Sequence, residues 1–192
     1  KEALQKVMKD TSINRTASGF PYVFHRDVEG ASPELGDLVI YHEEYSVNTA
    51  RQFNSRSDIG QPRSLILPEA DLMNETFLPA YEGLMLMSPG DSLTVYQSLE
   101  GIDNLPPRYK PEDVIVYTLT LEAIKLHGVG EKIATFRETG QLPGLQQGSE
   151  GLQFLFLEKG AGPTPKEGQK VAVHYAGYLL ADGNPFGNSY QR

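Results

Sequence analysis

"VAVHYAGYLLADGNPFGNSYQR", Val171 to Arg192, is the stretch on which the reading of the fold turns. It reads as two strands joined by a turn. The sequence stops where a third element would be needed, so the stretch is expected to be the opening half of a domain, truncated at Arg192. Unpaired strand edges and apolar faces predict that such a half domain self-associates or stays disordered.

Working outward, the same pattern occurs earlier in the chain. "GFPYVFHRDVEGASPELGDLVIYH" from Gly19 and "GLQFLFLEKGAGPTPKEGQKVAVH" from Gly151 align without a gap, 132 residues apart. The alignment pairs Phe24 with Phe156, Gly30 with Gly162, Pro33 with Pro165, Gly36 with Gly168, Val39 with Val171 and His42 with His174. A helix-like segment precedes each copy, marked by Leu4, Val7 and Met8 in the first and by Ile133 and Phe136 in the second. The repeated unit is helix, strand, Gly/Pro turn, strand. The first copy continues through a strand near Phe53, a loop "SLILPEADLMNE", a short helix in "TFLPAYEGLMLM", a strand in "SPGDSLTVYQS", a long loop and a final strand "DVIVYTLTLEAIK". This predicts an antiparallel α+β domain with one short helix packed on its sheet. The expected division is an N-terminal helix over 1–13, a complete domain over 14–126, a linker with a helix over 127–150, and the half domain over 151–192.

Composition excludes several classes. The net charge of −8, with Lys and Arg scattered, argues against a nucleic-acid surface. Without cysteine there is no disulfide, thiolate site or cysteine nucleophile. No apolar run approaches the roughly 20 residues of a membrane span, and "KEALQKVMKD" reads as a charged amphipathic helix rather than a signal peptide. His25, His42, His127 and His174 are too scattered for a local metal motif. Adjacent Glu43 and Glu44 face opposite ways on a strand and cannot form an acid/base pair.

The motif over Gly168–Ser189 resembles the opening half of FKBP-type peptidyl-prolyl cis-trans isomerases, through Gly168, Val171, Val173, His174, Tyr175, Gly177, Leu179, Asp182, Gly183, Phe186 and Ser189. The first copy is similar to a divergent domain of the same family, through Glu82, Gly83, Leu84, Met87 and Gly90 and through the "LPPRYKPEDVIVYTLTLEAI" ending. The resemblance implies an FKBP-like antiparallel sheet wrapped on a short helix, present twice with the second copy incomplete. It also implies a rotamase that assists protein folding, acts on proline-containing peptides or unfolded proteins, and uses no cofactor or metal. Tyr175 and Phe186 would line the prolyl pocket, with Ser189 beside them as a substrate-binding residue. FKBP-binding macrolides are further ligands of such a pocket. Tandem units with helical leaders resemble exported or lipid-anchored foldases of the bacterial envelope, so periplasm or cell envelope is the expected location, with cytoplasm left open.

Three departures matter. Glu43 stands where Tyr175 stands in the second copy, Ala80 falls where the family has a pocket-floor Trp, and Gly187 replaces the Asp that follows the Phe. Phe53 matches Phe186 at an offset of 133, one residue out of step. A carboxylate at the pocket wall is costly unless paired or protonated, so the first pocket is expected to be polar or closed. Phe77, Leu78, Leu84, Met85 and Met87 are expected in the core. A non-catalytic peptide-binding module is the alternative function.

Overall fold

The computed structural model describes residues 2–68, 77–182 and 185–191. Gly183 of the motif and part of the "SLILPEADLMNE" loop lie outside them. The chain forms two compact units, Lys1–Gly128 and Val129–Arg192.

In the first unit, helix α1 (Glu2–Lys9) precedes strands β1 (Tyr22–Arg26), β2 (Leu38–Val47), β3 (Ala50–Asn54) and β4 (Arg63–Ile66). Helix α2 (Leu78–Met85) and strands β5 (Ser92–Ser98) and β6 (Val114–Lys125) complete it. The sheet order is β1-β5-β6-β2-β3, with β4 also on β2, and every pairing is antiparallel. The central pair runs from Leu38 opposite Lys125 to Val47 opposite Ile115, with a bulge between Ile40 and Tyr41. Strict alternation in β6 puts Ile115, Tyr117, Leu119 and Leu121 in the core and Thr118 on the other face, where it bonds Thr94, which in turn bonds His25.

Strands β3 and β4 are two halves of one neighbour to β2. β4 pairs Leu38–Tyr41, β3 pairs Glu44–Val47, and His42 and Glu43 lie between them without a strand partner on that edge. The interruption is a five-residue π-helical turn, Ser55–Ile59. Asn54 caps it, its side chain accepting from the Arg56 and Ser57 amides, and Gly60 ends it at φ 69°. This gap positions the site.

Helix α2 lies on the inner face. Pro79 sits in its first turn, where a missing N–H costs little. Gly83 brings the helix onto β5 and β6: a Cβ there would stand 3.1 Å from both Leu93 Cδ2 and Leu119 Cδ1. Leu84 and Met87 are fully buried, and Met85 is partly buried against the core. Leu78 is half-buried, and Phe77 departs from expectation. At the helix N-cap, Phe77 is 43% exposed, its ring 6.4 Å from Tyr81, and the buried residues of α2 begin at Pro79.

The second unit contains α3 (Val129–Thr139), a two-residue pairing of β7 (Gln146–Gln147) with β8 (Gln153–Phe154), and a hairpin of β9 (Ala176–Tyr178) with β10 (Pro185–Asn188). The sequence predicts longer strands through Phe156 and from Val171. Val171–Tyr175 lies outside any strand instead, and Val173 is 72% exposed. Alternation provides a face, but a strand also needs a hydrogen-bonding neighbour.

Replacing Gly83 with Leu forces α2 off β5 and β6. A loss of about 1–3 kcal/mol is expected in urea unfolding of the chain, and an unchanged midpoint would show that the helix does not rest on the sheet there.

Candidate functional site

The two copies share local bonding that follows from their aligned residues. In the turn before β2, the Glu34 amide donates to Asp37 Oδ2 at 2.9 Å and the Asp37 amide to the Glu34 carbonyl at 3.1 Å. In the second unit the Lys166 amide donates to Gln169 Oε1 at 2.7 Å and the Gln169 amide to the Lys166 carbonyl at 3.1 Å. Gly36 and Gly168 take φ 86° and 79° in these turns, a conformation a Cβ disfavours.

A serine clamp follows. In the gap between β3 and β4, Ser55 Oγ accepts the Glu43 amide at 3.0 Å and bonds His42 Nδ1 at 2.8 Å. In the second unit Ser189 Oγ accepts the Tyr175 amide at 2.9 Å and bonds His174 Nδ1 at 3.1 Å. The Ser189 amide also donates to the Tyr175 carbonyl at 2.9 Å. Each hydroxyl holds the backbone at the residue whose side chain is the candidate pocket wall, Glu43 in one unit and Tyr175 in the other. Ser189 therefore spends its hydroxyl on the Tyr175 backbone and on His174. His42 Nε2 also reaches Glu122 Oε1 at 3.1 Å. The order Glu122, His42, Ser55 is that of a nucleophile relay, but Ser55 is fully buried and bonds the Glu43 amide, so it is placed to hold the strand rather than to attack a substrate.

On the inner face, Glu43 is 3% exposed and pairs with Arg63 of β4, which lies at the end of β4 beside the gap. Burial pushes the Glu43 carboxyl above its usual range, while the Arg63 charge and hydrogen bond pull it down. Arg63 lays its guanidinium over Phe53, 5.6 Å from the ring centroid. Tyr45 stands 6.2 Å from Phe53 and 6.1 Å from Tyr117. Burial first, then the Glu43 charge, raise the Tyr41 and Tyr117 hydroxyls, so both remain protonated donors. Glu44 turns to the outer face, where it accepts from Asn54 Nδ2. The first unit thus has aromatic walls around an ion pair whose carboxylate is buried and whose guanidinium is partly exposed.

The second unit is different. Tyr175 is 49% exposed and Phe186 67% exposed, on a hairpin whose Gly177 lets the Phe186 ring cross the backbone: a Cβ on Gly177 would lie 2.3 Å from Phe186 Cζ. At the aligned position the first unit has Tyr45. The structure brings Tyr175 and Ser189 into direct contact and places Phe186 across the same hairpin. Arg63 is the site residue that sequence reasoning missed; its one signal is a charge opening the apolar run "SLIL". Among the described residues no group of three or more His, Asp and Glu side chains is disposed to hold a metal ion.

Removing Arg63 leaves the buried Glu43 charge uncompensated. Arg63→Met is expected to cost about 1–3 kcal/mol at neutral pH, below the roughly 3–5 kcal/mol of a fully buried pair because Arg63 is half exposed. The penalty shrinks on acidification, since Glu43 then protonates. The double variant Glu43→Leu with Arg63→Met should be more stable than Arg63→Met alone by chemical denaturation; equal losses would contradict the pairing. His42 behaves oppositely to Glu43. Burial, then Arg56, lower its pKa against the pull of Glu122. Its folded pKa lies below the unfolded 6.5, so it contributes stability that is present above pH 6.5 and lost as pH falls through the folded value. His42→Gln is expected to flatten the acid limb of stability against pH below 6.5, and an unchanged slope would refute this.

No protein-family model matches the chain, and no curated protein sequence matches it. Solved structures do. FkpA from Escherichia coli superposes with a TM-score of 0.50 at 21% identity, over 65% of this chain and 56% of that one. The N-terminal domain of FKBP42 from Arabidopsis thaliana gives 0.47 at 12% identity over 60% and 94% of the two chains. A peptidyl-prolyl cis-trans isomerase from Pseudomonas syringae gives 0.45 at 15% over 65% and 92%. The chain therefore spans little more than half the length of FkpA. With an antiparallel sheet wrapped on one short helix, and with this likeness to FkpA, the protein has an FKBP-like fold.

Proposed function

We propose that the protein is a tandem peptidyl-prolyl cis-trans isomerase that assists protein folding, with the prolyl site in the second unit and client binding in the first. The observation that carries this reading is the serine clamp. The same hydroxyl, imidazole and amide geometry holds Tyr175 in the second unit and Glu43 in the first, so one framework presents an aromatic wall in one case and an ion pair in the other.

Prolyl isomerisation is a rotation, and its barrier of about 18–20 kcal/mol comes from amide resonance. A pocket lowers that barrier by binding the twisted amide better than either planar form. The twisted carbonyl tolerates an apolar, desolvated surface. Tyr175 and Phe186, both exposed, supply that surface, and the Tyr175 hydroxyl is available to hydrogen-bond the peptide. Ser189 acts on substrate through Tyr175, whose backbone it fixes. FKBP-binding macrolides are candidate competitors for the same surface. Glu43 paired with Arg63 makes a poor prolyl wall, which assigns the first unit to client binding or spacing. Periplasm or cell envelope is the location this reading favours, and the exposed apolar residues of the second unit favour self-association.

In the intact protein, Tyr175→Ala is expected to lower isomerisation of a prolyl tetrapeptide at least about tenfold, or about 1.4 kcal/mol. Retention of full activity by Tyr175→Ala would place the site elsewhere. A wild-type protein that binds prolyl peptides without accelerating their isomerisation would establish the non-catalytic module instead.

A further inference from the structure

The ion pair of the first unit is closed on one side and open on the other. Glu43 is 3% exposed, whereas the Arg63 side chain is 42% exposed. Arg63 directs Nη1 to Glu43 and its plane to Phe53, and its remaining guanidinium N–H groups have no partner among the described residues. Two phenols face it: Tyr41 from β2 and Tyr81 from α2, each held protonated chiefly by burial. Tyr117 from β6 faces Glu43. Glu43, Arg63, Tyr41, Tyr81 and Tyr117 couple electrically here, and Tyr45 and Tyr109 act on Tyr117 in turn.

An open guanidinium fork beside phenol donors and an aromatic plane matches a carboxylate better than any other common peptide group, because the fork meets two oxygens at once. We propose that the first unit binds a carboxylate of an extended client peptide on the open side of Arg63, between Phe53 and Tyr81. The inference rests on reading the first unit as the client-binding module. Its carboxylate comes from an acidic side chain or from a free C-terminus, which share the chemistry. Two carboxylates on one guanidinium in a partly desolvated site do not both stay charged. Glu43, whose burial already favours its neutral form, takes one proton from solvent as the ligand binds, and the ligand carboxylate keeps its charge. No other bond changes. The net charge of −8 repels an acidic peptide at long range, so capture depends on this local geometry and association speeds up with salt.

The test is calorimetric titration of the intact protein with end-capped peptides that differ only in Glu against Gln, and with a neutral peptide carrying a free or an amidated C-terminus. At least about tenfold tighter binding is expected for one carboxylate-bearing member over its neutral partner, and the favoured pair identifies the source. Titration in buffers of different ionisation enthalpy should show proton uptake near neutral pH. Arg63→Met should erase the preference, Arg63→Lys restore part of it, and Glu43→Gln keep it while abolishing the uptake. Equal affinity of charged and neutral peptides for the wild-type protein overturns the proposal without requiring any variant to fold. A preference that survives in folded Arg63→Met overturns it as well. The isomerase reading fails separately: a protein that shows the carboxylate preference but no prolyl isomerisation overturns only that reading.

Discussion

One hydroxyl group governs the site. The π-helical turn between β3 and β4 takes the partner strand away from β2 at His42 and Glu43, and a buried amide without a partner there would cost free energy comparable to a lost hydrogen bond. Ser55 supplies the missing acceptor and fixes the His42 ring in the same contact. Strand β2 therefore continues straight through the gap, with Glu43 facing inward toward Arg63 and Glu44 outward toward Asn54. The gap leaves Glu43 to face Arg63 at the end of β4, and the serine keeps that residue in place.

The two units use this device for different ends. Tyr175 in one and Glu43 in the other occupy the held position, and Gly177 and Tyr45 occupy the position two residues on. Gly177 leaves room for Phe186 to lie over the backbone, whereas the Tyr45 ring lies tilted against both Phe53 and Tyr117. An aromatic hairpin in one unit and an ion pair walled by aromatics in the other thus follow from differences at these two aligned positions, together with Arg63 of β4 in the first. An ion pair with one buried partner is weak evidence for stability, since apolar residues often do as well. Its presence here is better accounted for by what Arg63 leaves exposed.

Much of the first unit was legible in the sequence because its signals are local. Period-two alternation marks β2, β5 and β6; "TFLPAYEGLMLM" carries α2 with Pro79 in its first turn; Gly36 and Gly168 mark turns that need positive φ. The fold class followed from these. The site was legible only on one side. Glu43 stood out as a charge in an inward position, but Arg63 reaches it from another strand, and cross-strand pairing is not periodic in sequence. The serine clamp was hidden for the same reason, since Ser55 and Ser189 are offset by 134 residues while His42 and His174 are offset by 132. That slippage is the one-residue mismatch at Phe53, continued by one more. In the second unit Val171–Tyr175 has the right alternation and no strand neighbour, and Phe77 has the right hydrophobicity at a helix N-cap that faces outward. In both cases composition fixed the preference and tertiary context decided the outcome.

The central claim is that the two aligned positions have parted in function, Tyr175 toward prolyl peptides and Glu43 away from them. Amide chemical-shift mapping with an end-capped prolyl peptide that carries no carboxylate tests it most directly. The account predicts shifts around Tyr175, Gly177 and Phe186, with the amides of Glu43, Phe53 and Arg63 unmoved. Saturable shifts at Glu43 and Arg63 with none around Tyr175 would contradict it.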